Sequence, residues 1–256
     1  MAPVLLSALA LMVLAGCAAK PEGVTQFNTI DSLLAGVYDG SESLDSLRRS
    51  GDFGIGTFDR LDGEMALIDG VFYQVKADGR VTRPAGSIIT PFASVLFFRP
   101  ELQCREAKGD YAGIRRLVDG LAPNQNIFAA VMIRGEFKSV HTRSVPAQVK
   151  PYRPLAEVTR NQPEFHLKNV RGTVVGFRLP PYVKGINVPG YHLHFIADDA
   201  SGGGHILDFE LERGDLELQT VYQLTLVLPR DSADFAAVDL GRDRGAELKK
   251  VESAKP

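Results

Sequence analysis

The sequence predicts an α+β fold built as two sheet-containing halves, with mixed and antiparallel strands and few helices. Three observations point there. Short apolar or alternating runs recur between Gly, Asp and Asn punctuation, which is the pattern of strands joined by turns. Few stretches show the three- and four-residue apolar spacing of an amphipathic helix. The phrase "FGIGTFDRLDGEMALIDGVFYQV" (53–75) is loosely matched by "VRGTVVGFRLPPYVKGINVPGYHLHF" (170–195), so a weak internal duplication is expected.

The chain begins with a segment that does not belong to the fold. "APVLLSALALMVLAGC" is uncharged and apolar, shorter than the roughly 20 residues that span a bilayer, and ends in small residues as a secretory signal does. Its end, Leu14-Ala15-Gly16-Cys17, resembles the lipobox of bacterial lipoproteins, although no Lys or Arg precedes the run. Residues 1–17 are therefore expected to be a lipoprotein-like signal peptide. The protein would be exported, either periplasmic or anchored to a membrane through a lipid on Cys17. Once Cys17 is used, Cys104 is the remaining cysteine, so no intramolecular disulfide is possible, and with no histidine beside it Cys104 reads as structural.

A polar linker is expected at 18–28, followed by an N-terminal α+β half at 29–150. Within it, "TIDSLLAGV", "SLDSLRRS" and "YAGIRRLVDGLA" (111–122) carry helical spacing. "FGIGTF", "EMALID", "VFYQVK" and "SVLFF" read as strands, with Asp69-Gly70 a hairpin signal. "NIFAAVMIRGEFKSV" reads as two strands joined at Arg134-Gly135. The proline-bearing "VPAQVKPYRPLAEVTRNQ" crosses to a β-rich half at 151–256, with strands at "EFHLKN", "GTVVGFRL", "GYHLHFIA", "HILDFEL" and "YQLTLVL" and a C-terminal tail. At 45% apolar and 23% charged residues, this body is not a disordered chain. Lys plus Arg (29) nearly balance Asp plus Glu (31), and no basic run is interleaved with aromatics, which argues against a nucleic-acid partner.

Chemistry concentrates in "GYHLHFIADDASGGGHILDF" (190–209), which holds three of the five histidines. Strand alternation puts His192 and His194 on one face. The glycine-rich turn brings His205 back beside them, on the face that "HILDFEL" shares with Leu207, Phe209 and Leu211. Three neutral imidazoles supply three of the four ligands of a tetrahedral Zn²⁺ and leave a position for substrate, though Fe²⁺, Cu²⁺ or Ni²⁺ would also be accepted. His141 and His166 stand apart as structural or surface residues.

The phrases "GDFGIGTFDRLDGEM", "DGVFYQV", "SVHTRSVPAQVKPYRPL" and "GTVVGFRLPPYVKGINVPGYHLHFIADDASGGGHILDF" resemble the alpha-acetolactate decarboxylase family from about Gln26 to near the C-terminus. The resemblance implies a zinc enzyme, often dimeric, that converts 2-acetolactate to acetoin and CO₂ through a metal-stabilised enediolate and a face-selective protonation. It implies His192, His194 and His205 as metal ligands, Glu64 and Arg143 as catalytic residues, and Thr57 with Arg143 as substrate contacts. A family glutamate near the C-terminus falls on Glu252, with Glu247 the alternative. A second reading is a surface-anchored metal-binding lipoprotein without catalysis.

Overall fold

Gly and Asp punctuation sets the strand lengths of the first half. The computed structural model describes residues 23–252, so the leader expected at 1–17, Cys17 included, lies outside the described residues. In chain order the elements are β1 (Val24–Phe27), α1 (Ile30–Leu34), β2 (Glu42–Ser43), α2 (Leu44–Arg48), β3 (Phe53–Thr57), β4 (Glu64–Ile68) and β5 (Val71–Val75). Then come β6 (Val81–Thr82), β7 (Ile89–Thr90), β8 (Ala93–Leu96), β9 (Leu102–Asp110), α3 (Tyr111–Leu121) and β10 (Phe128–Arg143). The remainder is α4 (Leu155–Val158), β11 (Glu164–Leu179), β12 (Gly190–Ala197), β13 (Gly203–Val221), β14 (Leu224–Val227), α5 (Ala233–Ala237) and α6 (Gly245–Glu252). The fold class is α+β, with mixed and antiparallel strands and few helices.

A seven-stranded mixed sheet runs β14-β1-β8-β3-β4-β5-β6, with β14 parallel to β1 and the other pairs antiparallel. The second sheet, β10-β11-β12-β13-β9, is antiparallel, and β10 also pairs with β13, so four of its strands close on themselves. The sequence division at 150 does not separate these sheets. β14 completes the first sheet from the far end of the chain, whereas β9 and β10 join the second from the near side.

The strands expected at "EFHLKN" and "GTVVGFRL" are one strand, β11, and three further elements differ from expectation for identifiable reasons. Val24–Phe27, read as linker, is a fully buried strand, disguised by polar residues that are internally satisfied: Gln26 Nε2 donates to Asn28 O at 2.9 Å, and Asn187 donates to Gln26 Oε1. "NIFAAVMIRGEFKSV" forms one strand, not two, because Gly135 is no turn. It faces Gly172 and Gly214 on its neighbours, and a Cβ there would lie 2.4 Å from Arg213 O. β9 was not legible because its outward positions are charged, as suits a sheet edge.

Apolar residues on alternate positions of the second sheet go to opposite layers. Val131, Ile133, Val174, Leu193, Phe195, Phe209 and Leu211 pack with Ile114 and Val118 of α3, centred on Phe137, whose ring lies 5.2 Å from Phe195 and 5.6 Å from Phe209. Helix α3 starts where it does because the Asp110 carboxylate accepts from Gly113 N at 2.7 Å, a side-chain N-cap. The other face, with Ala130, Met132, Val175 and Phe177, packs on Phe53, Ile55, Ala66 and Val75 of the first sheet. The histidine face of β12 belongs to this inter-sheet layer.

Candidate metal centre

β13 sets the third histidine by breaking its own alternation. Its register against β10 passes from His141↔Asp208 to Thr142↔Ile206, leaving Leu207 as a bulge. The expected shared face of His205 with Phe209 and Leu211 is thereby corrected. Ile206 joins those two in the α3 core, while His205 turns to the layer between the sheets. Gly204 makes the entry, with φ +124° and its α-carbon so close to β10 that a Cβ would meet Arg143 O at 2.3 Å.

His192, His194 and His205 converge, with ring centroids 5.0 to 5.5 Å apart and one nitrogen of each within 4.8 Å of the others. All three are buried. His194 Nδ1 lies 2.7 Å from the Met65 carbonyl, which requires the proton on Nδ1 and turns the Nε2 lone pair into the cluster. His194 Nε2 and His192 Nδ1 are buried with no hydrogen-bond partner among the described residues. Converging unpartnered imidazole nitrogens fit a metal ion.

Charge supports the same fit. Burial, with the Arg143 cation adding to it, holds the His192 imidazole down to about 3. Burial first, then neighbouring charges, hold His194 and His205 well below the usual histidine range. In the metal-free fold all three are neutral lone-pair donors at pH 7. They take up protons on unfolding once the pH drops below 6.5, so their contribution to stability is present above 6.5 and is lost as pH falls below it, for His192 toward about 3. In metal-free protein the three ring resonances should therefore stay still by NMR between about pH 7 and pH 5, and any that titrates near 6.5 contradicts this burial.

The remaining sequence-derived residues gather around the triad. Glu64 opens β4, and its Oε2 is 3.5 Å from His194 Nε2. Burial pushes its carboxyl up to about 8, opposed by Arg143 and reinforced by Glu252. Glu252, at the end of α6, places Oε2 3.5 Å from His205 Nε2, and burial raises its carboxyl against the pull of Arg143. Glu247 is elsewhere, paired at 3.0 Å with both Arg242 and Arg244. Arg143, buried at the end of β10, donates through Nη1 to Val251 O and lies 3.9 Å from Glu252.

Thr57 positions this arrangement. Its hydroxyl donates to Gly63 O at 2.7 Å, holding the turn that delivers Glu64, so what Thr57 can offer a ligand is its oxygen lone pairs. That turn carries Arg60 and Leu61 at φ 58° and 59°, an unfavourable geometry for such side chains, and is braced by Gly63 N donating to Val145 O at 3.1 Å.

Glu64, Arg143, Glu252, Thr57, His192 and His205 line one cavity of about 60 Å³, room for a few waters or a small ligand. Its other walls are largely apolar, with Leu33, Leu61, Phe92, Val145 and Leu155 among them. Sequence reasoning missed the Met65 and Val251 carbonyls, which carry no side-chain signal, and Gln162. His141 and His166 are not solitary: their rings stack 4.1 Å apart across β10 and β11, and His141 Nε2 is 2.9 Å from Glu164.

The family model for alpha-acetolactate decarboxylase matches residues 24–242. An alpha-acetolactate decarboxylase of Methanosarcina mazei is 47% identical over 228 residues, covering 89% of this chain and 79% of the relative. That of Bacillus subtilis strain 168 is 42% identical over 85% of each chain. The solved structure of the alpha-acetolactate decarboxylase from that strain superposes with a TM-score of 0.87 at 40% identity, covering 90% of this chain and 99% of the other. A Staphylococcus aureus structure, described as a protein of unknown function similar to alpha-acetolactate decarboxylase, gives 0.86 at 30% identity. The chain belongs to the alpha-acetolactate decarboxylase family and is an enzyme, a carboxy-lyase.

Proposed function

We propose that the protein converts 2-acetolactate to acetoin and CO₂ with Zn²⁺ held by His192, His194 and His205. The observation that carries this is a cluster of three buried neutral imidazoles beside one cavity, which His192 and His205 line together with a cation, Arg143, and two carboxyls whose hold on protons burial strengthens. Zinc bound there supplies a Lewis acid for the substrate's ketone oxygen. Zinc is preferred over iron, copper or nickel because losing CO₂ moves an electron pair without any redox step.

The chain's own groups do the rest. The ketone lies β to the carboxylate, so when the carbon–carbon bond breaks its electron pair passes into an enediolate and the carboxylate leaves as CO₂. Arg143, fixed through Val251 O, presents its fork of donors to that developing charge. Contact that strengthens as the enediolate forms lowers the barrier, whereas a grip on the carboxylate alone would stabilise the ground state. One proton must then be added to a single carbon face, and Glu64 or Glu252 carries it. Export, attachment through Cys17 and homodimer formation belong to the same proposal, checked by the mass of the mature N-terminus and by light scattering.

Purified protein should form acetoin and CO₂ from racemic 2-acetolactate, lose that activity on chelation and regain it with Zn²⁺. Full activity in metal-free protein would sink the assignment, and a metal-binding protein without catalysis would make no acetoin. Chiral analysis separates the glutamates. In Glu64→Gln or Glu252→Gln, the variant lacking the proton donor should be slower and release acetoin of mixed handedness, since enediol escaping to water is protonated on either face.

A further inference from the structure

We propose that Gln162 binds the substrate, its side-chain oxygen accepting a hydrogen bond from the tertiary hydroxyl that distinguishes a 2-hydroxy-3-oxo acid from a simple 3-oxo acid. This rests on the decarboxylase reading of the same cavity. Gln162 ends the short helical segment after α4, where its N–H donates to Thr159 O at 3.4 Å. The next residue ties the segment to the site, since Ser144 N donates to Pro163 O at 3.2 Å, one position from Arg143. Gln162 is only 7% exposed and lines the cavity with Glu64, Arg143, His192 and His205. Its Oε1 is nonetheless buried without a hydrogen-bond donor among the described residues. Buried amide oxygens are nearly always paired, so an unpaired one on a residue that lines a ligand cavity points to a donor that arrives with the ligand.

The other polar groups of the cavity divide the substrate's oxygens between them. The Thr57 hydroxyl is committed to Gly63 O, and the Thr159 hydroxyl to Leu155 O at 3.0 Å. Arg143 is the cationic donor in the lining, suited to carboxylate or ketone oxygens, both of which accept. 2-Acetolactate has one donor, its tertiary hydroxyl; the Thr57 and Thr159 oxygens keep lone pairs, but each already makes a hydrogen bond, whereas Gln162 Oε1 is the side-chain acceptor of the lining with none of its own. Leu33, Phe92, Val145 and Leu155 offer no hydrogen bonds and suit the two methyl groups. Turned over, the amide would present its NH₂ and favour the carboxylate instead, which gives a different selectivity.

The test uses metal-loaded full-length protein and two inert acids that lack the ketone and so cannot lose CO₂. One is 2-hydroxy-2-methylbutanoate; the other, 2,2-dimethylbutanoate, replaces its hydroxyl with a methyl group. Affinities are measured by calorimetry and as inhibition of acetoin formation. The wild-type preference for the hydroxy acid should shrink at least about tenfold in Gln162→Leu and in Gln162→Met, with metal content unchanged; two variants guard against one that folds poorly. An unchanged ratio would overturn the proposal. Equal weakening of both acids would also overturn it, since the amide would then serve the carboxylate. If wild-type protein makes no acetoin the decarboxylase reading fails, whereas the calorimetric ratio still decides the role of Gln162.

Discussion

His205→Ala is expected to lose metal and activity together, with bound Zn²⁺ falling from about one per chain to a small fraction and acetoin formation dropping by roughly 10²–10³ or more. The imidazole is irreplaceable in position, because the bulge at Leu207 and the close approach at Gly204 aim His205 into the inter-sheet layer beside His192 and His194. Its loss also leaves Glu252 without its histidine neighbour at 3.5 Å. Metal analysis beside an acetoin assay checks the expectation. A variant that kept both metal and rate would remove His205 from the centre.

Arg143→Ala should separate the two properties. Metal stays, because Arg143 supplies no ligand, but kcat falls by roughly 10²–10³ through loss of the donors facing the developing enediolate. Arg143→Lys keeps the charge and should recover only part of the rate, since an ammonium cannot hold the Val251 carbonyl and the substrate with one planar fork. Measured kcat and KM for both variants, with zinc stoichiometry, decide it. Arg143→Ala with wild-type kcat would show that the buried guanidinium serves only to fasten α6.

The sequence carried the triad because periodicity and a glycine-rich turn are local signals. His192 and His194 share a face as alternation requires, and the turn returns His205 beside them. The parity error at His205 arose because a bulge depends on pairing with β10, which lies far away in sequence. Most strand positions in the first sheet were legible from Gly and Asp punctuation, the two-residue β6 excepted. β1 was not, since buried Thr25 and Gln26 look like linker until their partners are known. Glu64, Arg143, Thr57 and Glu252 came from resemblance alone, because a lone glutamate in a hairpin or an arginine in a strand carries no periodic signal. Gln162 had no signal at all: its significance is an oxygen left without a donor on a residue that lines a cavity formed by distant segments.

The histidines and their partners also differ in how far along the chain they must be gathered. The three histidines come from one hairpin between 192 and 205, a closure that requires little loop entropy, whereas Thr57, Glu64 and Arg143 must be brought in from across the chain. Proximity of the three histidines is thus local, whereas their orientation is not. A chain whose hairpin has formed but whose distant strands have not docked lacks both the Met65 carbonyl that orients His194 and the β10 pairing that turns His205 inward, so assembly of the site waits on the whole fold.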